Sequence, residues 1–304
     1  MGTRTLVGLI GTNILKSLSP ALHEDAMAAA GMSGHYHLMD LDQLPGARLD
    51  SVFAGVKATG FRGVNVTFPF KQAIMPLLDE VSVEAQQIGA VNTVTISEHG
   101  STRGHNTDRI GFLRGFEEGL GRDCIAGKPV LLVGAGGAGR AVCFALMDLG
   151  AAEVAIHDVD RGRAAALIAD VMQHYGAARC RLADDIVKCA RTAAGIVNAT
   201  PVGMSRSAGN PVPVEAILAH HWVADIIYTP LQTELIKAAL AKGARVLTAD
   251  GMTVHQAAGS FQLFTGLTPD AGRLRRVFMS ALVQRDARLA NGSPVQFAQK
   301  RRST

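Results

Sequence analysis

Aromatic side chains are scarce in this chain: one tryptophan, three tyrosines and 11 phenylalanines among 304 residues. No stretch interleaves basic with aromatic residues, so nothing offers nucleic-acid bases a stacking platform beside a phosphate-binding groove. Cysteine is scarcer still, and Cys124, Cys143, Cys180 and Cys189 form no C-x-x-C pair. That spacing argues against structural zinc, leaves no metal site to propose, and predicts buried free thiols in a reducing cytoplasm. No apolar run reaches the length of a membrane helix. The N-terminus lacks the basic segment and apolar stretch of a signal peptide. Repeats and low-complexity tracts are absent. Charge of either sign is dispersed, with a formal net charge of +4 and a pI near 9.0. This mild positive bias suits an anionic small-molecule ligand, a cofactor or a carboxylate substrate. The Lys300-Arg301-Arg302 run belongs to a polar tail, 293–304, expected to be solvated.

Glycine is plentiful, with 33 residues, and one glycine-rich stretch organises the rest. Val130-Leu131-Leu132-Val133 is a continuous apolar run, as for a strand buried on both faces. Gly134, Gly136 and Gly139 follow in G-x-G-x-x-G spacing, with Ala135, Gly137 and Ala138 between them. The first glycine permits a tight turn, the second a close backbone approach to a pyrophosphate, and the third close helix–strand packing. Residues 140–149 then read as a helix ended by Gly150, and 154–158 as the next strand. The phosphate would sit at that helix's N-terminus. Asp158 ends the second strand at about the 20-residue spacing where an acid meets an adenosine ribose. Together these make a nucleotide-binding βαβ unit.

Before this unit the chain alternates strand and helix: strands at 5–10, 35–40, 63–68 and 91–96, helices at 21–30 and 49–58, and a helical stretch from Lys71 to about Leu78. Four glycines, Gly104, Gly111, Gly115 and Gly119, weaken a helical reading of 106–120. Beyond Asp158, strands are expected at 195–198, 223–227 and 244–248, and helices at 161–175, 233–242, 255–265 and 274–291. The pattern predicts two α/β domains with ligands in the cleft between them, at the carboxyl ends of parallel strands.

Several polar residues stand where packing does not ask for them. Asn65 and Thr67 interrupt a strand, Asn92 and Thr93 follow Val91, and Asn106-Thr107-Asp108 form a tight triplet. Asn and Asp also serve as caps and turns. Lys71, read at a helix start, would be disfavoured there by the dipole, which suits a proton-transfer lysine of lowered pKa. Ser17 and Ser19 offer two hydroxyls to a carboxylate, while Ser19 followed by Pro20 also reads as a helix cap.

Seven motifs occur in order: Ser17-Leu18-Ser19-Pro20, Asn65-Val66-Thr67-Phe68-Pro69-Phe70-Lys71, Gly89-Ala90-Val91-Asn92-Thr93, Asn106-Thr107-Asp108, the glycine loop, Asn198-Ala199-Thr200-Pro201, and Gly251-Met252-Thr253-Val254-His255-Gln256-Ala257. In this the chain resembles the shikimate/quinate dehydrogenase family from about Leu6 to Leu282. The resemblance implies an N-terminal substrate domain with a mainly parallel sheet, 1–108, completed by C-terminal helices over 253–292. It implies a Rossmann domain over 109–252 that binds the nicotinamide cofactor. Lys71 and Asp108 would be the catalytic dyad. Ser17 and Ser19 would hold the substrate carboxylate, and Asn65, Thr67, Asn92, Tyr228 and Gln256 would make further substrate contacts. Thr200, Ile226 and Gly251 would join the glycine loop and Asp158 around the cofactor. The implied reaction interconverts shikimate and 3-dehydroshikimate, or quinate and 3-dehydroquinate, within aromatic amino acid biosynthesis or a catabolic route.

The chain departs from many NADP-linked members after the second Rossmann strand. Where they have Asn-Arg-Thr, it reads Asp158-Val159-Asp160. A carboxylate there accepts ribose hydroxyls and repels a 2′-phosphate, so NAD is expected and NADP disfavoured, with Arg161 or Arg163 as the route to residual NADP use. The resemblance is to the NAD-linked branch, which leaves shikimate, quinate and aminoshikimate as substrates. A methylene-tetrahydrofolate dehydrogenase would not need the serine pair, and a non-catalytic sensor would not need both Lys71 and Asp108. A monomer and a homodimer are both compatible with this reading.

Overall fold

Residues 5–10 are apolar on both faces, and they form β1 (Thr5–Gly11) in the interior of a first sheet. The computed structural model describes residues 4–290 apart from 177 and 206, so the tail 293–304 lies outside it. After β1 come α1 (Ser19–Ala29), β2 (Gly34–Asp40), α2 (Leu49–Ala58), β3 (Gly63–Val66), β4 (Glu80–Val81), α3 (Val83–Ile88), β5 (Thr93–Ile96) and β6 (Thr102–His105). The sheet order is β2-β1-β3-β5-β6-β4. Its β1–β2, β1–β3 and β4–β6 pairs are parallel, and β5 runs antiparallel to both β3 and β6. The sheet is therefore mixed, with β4, β6 and α3 not anticipated from the sequence.

α4 (Asp108–Gly119) leads to β7 (Pro129–Val133), α5 (Gly137–Asp148), β8 (Glu153–His157), α6 (Arg161–Tyr175), β9 (Cys180–Leu182), α7 (Ile186–Thr192), β10 (Gly195–Asn198), β11 (Trp222–Asp225), α8 (Glu234–Ala241) and β12 (Arg245–Leu247). This second sheet is wholly parallel in the order β12-β11-β10-β7-β8-β9. The order reverses between β7 and β10, the crevice where doubly wound sheets bind dinucleotides. The closing helices α9 (Asp250–Thr265) and α10 (Ala271–Ala290) return to the first sheet. There Val254, Phe261, Phe264, Leu274 and Phe278 join Val7, Leu9, Leu22 and Tyr36 in one core.

Two sequence expectations change. The stretch from Lys71 is a series of turns ending in a 3₁₀ turn at Met75–Leu77, because Pro69 and Pro76 leave no room for a regular helix. Lys71 therefore does not stand at the start of a helix of its own. Residues 106–120, despite their glycines, contain the helix α4, and two of those glycines are packing surfaces. A Cβ on Gly111 would lie 2.9 Å from Gln256 Cβ, and one on Gly115 would lie 2.8 Å from the Met252 backbone nitrogen. Alanine at Gly115 would gain about 1 kcal/mol of helix propensity but would force α4 off α9, an overpacking cost of about 1–3 kcal/mol. Gly115→Ala is expected to lower stability on balance, read as a lower denaturant midpoint at unchanged m-value. An unchanged or higher midpoint would mean that the α4–α9 contact yields freely.

Candidate active site

Lys71 sits on the turn after β3, with its carbonyl accepting from the Val91 N–H at 2.8 Å. Its ammonium reaches Asp108 Oδ2 at 2.5 Å, with side-chain exposures of 14% for Lys71 and 6% for Asp108. Asp108 is the first residue of α4, where the positive end of the dipole favours a carboxylate. Asn106 ties this start down, its Oδ1 accepting from the Asp108 and Arg109 N–H groups at 3.0 and 3.3 Å. The capping reading of Asn106 is thus the one observed. The Lys71 stem lies on the glycine loop: a Cβ on Gly137 would be 3.0 Å from Lys71 Cβ. The ion pair therefore stands where the two sheets' loops meet.

The other Asp108 oxygen accepts from Asn92 Nδ2 at 2.9 Å. Asn92 Nδ2 also donates to Thr107 Oγ1 at 2.9 Å, and Asn92 Oδ1 accepts from the Thr107 N–H at 2.8 Å. Asn65 donates to Thr93 Oγ1 at 2.9 Å and accepts from the Tyr36 hydroxyl at 2.8 Å. Both asparagine amides are buried, and both of their N–H bonds are spent on protein acceptors.

Ser17 is buried at the entrance to α1, and its Oγ lies 3.1 Å from Ser19 Oγ. Ser19 is not the cap. Leu18 holds that position with no side-chain bond, and Ser19 is the first helical residue. Its hydroxyl is left free of the capping duty, while its N–H donates to Ser17 Oγ at 3.3 Å. Tyr228 lies against Ser17. Burial pushes its phenol above the usual range, opposed by the Ser17 hydroxyl and by Arg285, whose guanidinium stacks 5.9 Å from the ring centroid. Gln256 is half-buried on α9, against Gly111 of α4. Thr67 is half-buried one residue past β3, its N–H donating to the Ile10 carbonyl at 2.9 Å.

The glycine loop has the form its sequence implies. Gly134 has φ of 106°, a conformation other residues resist. A Cβ on Gly139 would land on the Gly134 carbonyl, while one on Gly136 would meet nothing within 4 Å, so backbone is open to a ligand at that point. Thr200 abuts the Gly134 turn, at 3.0 Å from a Cβ built there, and Ile226 follows β11 half-buried. Gly251 faces α4, where a Cβ would lie 3.0 Å from Gly115 Cα. Asp158 Oδ2 accepts from the Ala135 N–H at 2.7 Å and Oδ1 from the Asp160 N–H at 2.8 Å, which places the carboxylate beside the loop. Val159 is 98% exposed and offers no cation. Arg161 is turned to Asp184 at 2.7 Å and Arg163 to Asp160 at 3.2 Å. A turn with open backbone at Gly136 and a carboxylate beside it fits NAD.

Sequence reading missed two residues. Tyr36, inside β2, had only its rarity as a signal: it is one of three tyrosines, and two of them meet this site. Arg140 follows the last loop glycine. Buried in α5, it donates to the Ile88 carbonyl and to Asp170, joining the nucleotide helix to α3 of the first sheet. Gly89, with φ of 68°, leaves space for that guanidinium.

Comparison with known proteins bears on this geometry. A family model described as the shikimate dehydrogenase substrate binding domain matches residues 9–94, and one described as the shikimate 5'-dehydrogenase C-terminal domain matches 251–277. A quinate/shikimate dehydrogenase (NAD(+)) of Corynebacterium efficiens is 43% identical over 279 residues, covering 90% of this chain and 98% of that protein. A shikimate dehydrogenase (NADP(+)) of Streptomyces avermitilis is 44% identical over 274 residues, 88% of this chain and 93% of that one. The solved quinate dehydrogenase from Corynebacterium glutamicum in complex with NAD superposes with a TM-score of 0.83 at 42% identity, over 91% of this chain and all of that one, 100%.

Proposed function

This chain belongs to the shikimate dehydrogenase family, and on that premise we propose that Lys71 and Asp108 are the proton-transferring pair of its site. The enzyme is an NAD-dependent oxidoreductase acting on shikimate or quinate, interconverting a ring alcohol and its 3-dehydro ketone. The observation that carries the assignment of the pair is the 2.5 Å Lys71–Asp108 contact, seated against Gly137 of the nucleotide loop. Bound NAD supplies the acceptor for the substrate's hydride. The chain's own part is binding and proton transfer. In reduction the Lys71 ammonium gives a proton to the carbonyl oxygen as hydride reaches the carbon, and in oxidation Lys71, as the neutral amine, takes the hydroxyl proton as the C–H bond breaks. Asp108 holds the lysine in place, and Asn92 holds Asp108. Ser17 and Ser19 present hydroxyls to the carboxylate, and Thr67, Tyr228 and Gln256 complete the substrate's surroundings. Asn65 supplies the remaining lone pair of its Oδ1. Around the coenzyme we place residues 134–139, Asp158, Thr200, Ile226 and Gly251.

We assign 1–108 with 253–292 to a substrate domain and 109–252 to a coenzyme domain, supported by the shared core of the first sheet with α9 and α10. Four free thiols and a nicotinamide coenzyme fit a cytoplasmic enzyme. The test is direct: initial rates of reduced-coenzyme formation with shikimate, quinate and aminoshikimate, each with NAD and NADP. No NADH or NADPH with any of them would refute the assignment. For the serine pair, Ser17→Ala and Ser19→Ala are expected mainly to raise KM, since the carboxylate is remote from the reacting carbon. A hydrogen bond to a charged group contributes about 1.5–3 kcal/mol, hence roughly tenfold or more. Two variants with unchanged KM would move the carboxylate elsewhere.

A further inference from the structure

The hydrogen bonds behind the ion pair run in one direction, and two backbone groups set it. Because the Thr107 N–H donates to Asn92 Oδ1 at 2.8 Å, the Asn92 NH₂ must face Asp108. Because the Asn92 carbonyl accepts from Asn65 Nδ2 at 3.2 Å, Asn65 Oδ1 must face Tyr36. Between the two amides, the Thr93 hydroxyl accepts from Asn65 at 2.9 Å and donates to Asn92 Oδ1 at 2.9 Å. An amide oxygen is only an acceptor, so the Tyr36 hydroxyl is the donor in its 2.8 Å bond.

We propose that Tyr36 is a positioning residue for the Lys71–Asp108 pair, acting through Asn65, Thr93 and Asn92. The proposal rests on the reading of that pair as the proton-transferring groups. Each O–H and N–H in the series points toward the Asp108 carboxylate, so the dipoles polarise one another and stabilise its charge. They also hold the carboxylate in one orientation, and with it the lysine. Tyr36 suits the head of such a series. Its side chain is 1% exposed, and its ring stacks on His23 with centroids 4.6 Å apart. Burial raises the phenol's pKa and pulls that of His23 down to about 3, so the donor stays protonated and its stacking partner uncharged at neutral pH. Without the Tyr36 hydroxyl, Asn65 Oδ1 loses its only protein donor among the described residues, and the series loses the dipole at its head while the Asn65 Nδ2 bonds remain. The weakened polarisation then passes through Thr93 to Asn92, whose Nδ2 donates to Asp108.

The test compares steady-state kinetics of the full chain with NAD and shikimate for the unaltered protein, Tyr36→Phe, Thr93→Val, Thr93→Ser and Lys71→Ala. We expect Tyr36→Phe and Thr93→Val to lower kcat about tenfold, equivalent to about 1.4 kcal/mol, with the KM for NAD within about twofold. Thr93→Ser, which keeps the hydroxyl, should restore kcat. A merely structural loss would not separate kcat from KM or distinguish serine from valine. Tyr36→Phe with normal kcat would overturn the proposal, as would equal behaviour of Thr93→Val and Thr93→Ser. If Tyr36→Phe shows no cooperative thermal unfolding, the Thr93 pair alone decides by the same comparison. Lys71→Ala separates the two levels: if it keeps its turnover, the ion-pair reading fails, whereas if it is inactive and Tyr36→Phe is normal, only the role of Tyr36 fails.

Discussion

Replacement of Lys71 by alanine is expected to lower turnover with shikimate and NAD by about 10²–10⁴-fold, the range for losing a positioned acid–base group. No other cation is bonded to Asp108 among the described residues, so no second ammonium stands ready to supply the proton. The substitution also leaves a buried carboxylate with Asn92 as its remaining side-chain donor, which adds a stability cost of about 3–5 kcal/mol when one partner of a buried pair is removed. The two effects separate in measurement: kcat at saturating substrate reports the chemistry, and thermal unfolding reports the stranded charge. KM for shikimate should change less than kcat, because the serine pair and the hydroxyl contacts persist. Near-normal turnover in Lys71→Ala would take the lysine out of the mechanism.

The second large effect concerns the coenzyme. NAD is expected to be preferred over NADP by at least about tenfold in kcat/KM, or about 1.4 kcal/mol. Asp158 stands beside the glycine loop, held by the Ala135 and Asp160 N–H groups, so it cannot easily swing away from a phosphate placed there. Val159 contributes no charge, and Arg161 and Arg163 are turned to Asp184 and Asp160. Those two ion pairs are exposed and contribute little, at most about 1 kcal/mol each. They therefore oppose an arginine's recruitment only weakly, and repulsion from the fixed carboxylate weighs more. Asp158→Asn with Val159→Arg should narrow or reverse the preference in parallel kcat/KM measurements. Equal use of both coenzymes by the unaltered protein would mean that Arg161 or Arg163 leaves its carboxylate for the phosphate. An NADP-linked relative at 44% identity makes this measurement informative, since overall similarity does not decide the question.

The coenzyme half was legible because its signals are local. An apolar run, three spaced glycines and an acid at the next strand's end lie in one continuous stretch, and two of the glycines answer demands of the local backbone. Gly134 needs its positive φ and Gly139 its contact with the Gly134 carbonyl whatever the rest of the chain does. The substrate half was legible only as separate polar residues, which the family resemblance joined. Lys71 and Asp108 are far apart in sequence, and no periodicity connects them. Proline and glycine rules mislead where they are applied without a partner surface. They put Lys71 at a helix start, which Pro69 and Pro76 convert into successive turns. They make the glycines of α4 a weakness, although these residues let α9 approach.

By itself, the sequence determined the two α/β units, the glycine loop and the acid that ends the strand beside it. Tertiary structure alone decided how the polar residues are used. Whether an asparagine touches substrate or orients a carboxylate depends on which way its amide faces. Here that is set by backbone groups of distant segments, the Thr107 N–H for Asn92 and the Asn92 carbonyl for Asn65. The same holds for Tyr36, which enters the site only because β2, β1 and β3 lie side by side, and for Arg140, whose carbonyl partner belongs to the other sheet's helix. Steric requirements of the backbone act over a few residues and are written in composition and spacing, whereas hydrogen-bond direction is settled only when separate strands are brought together.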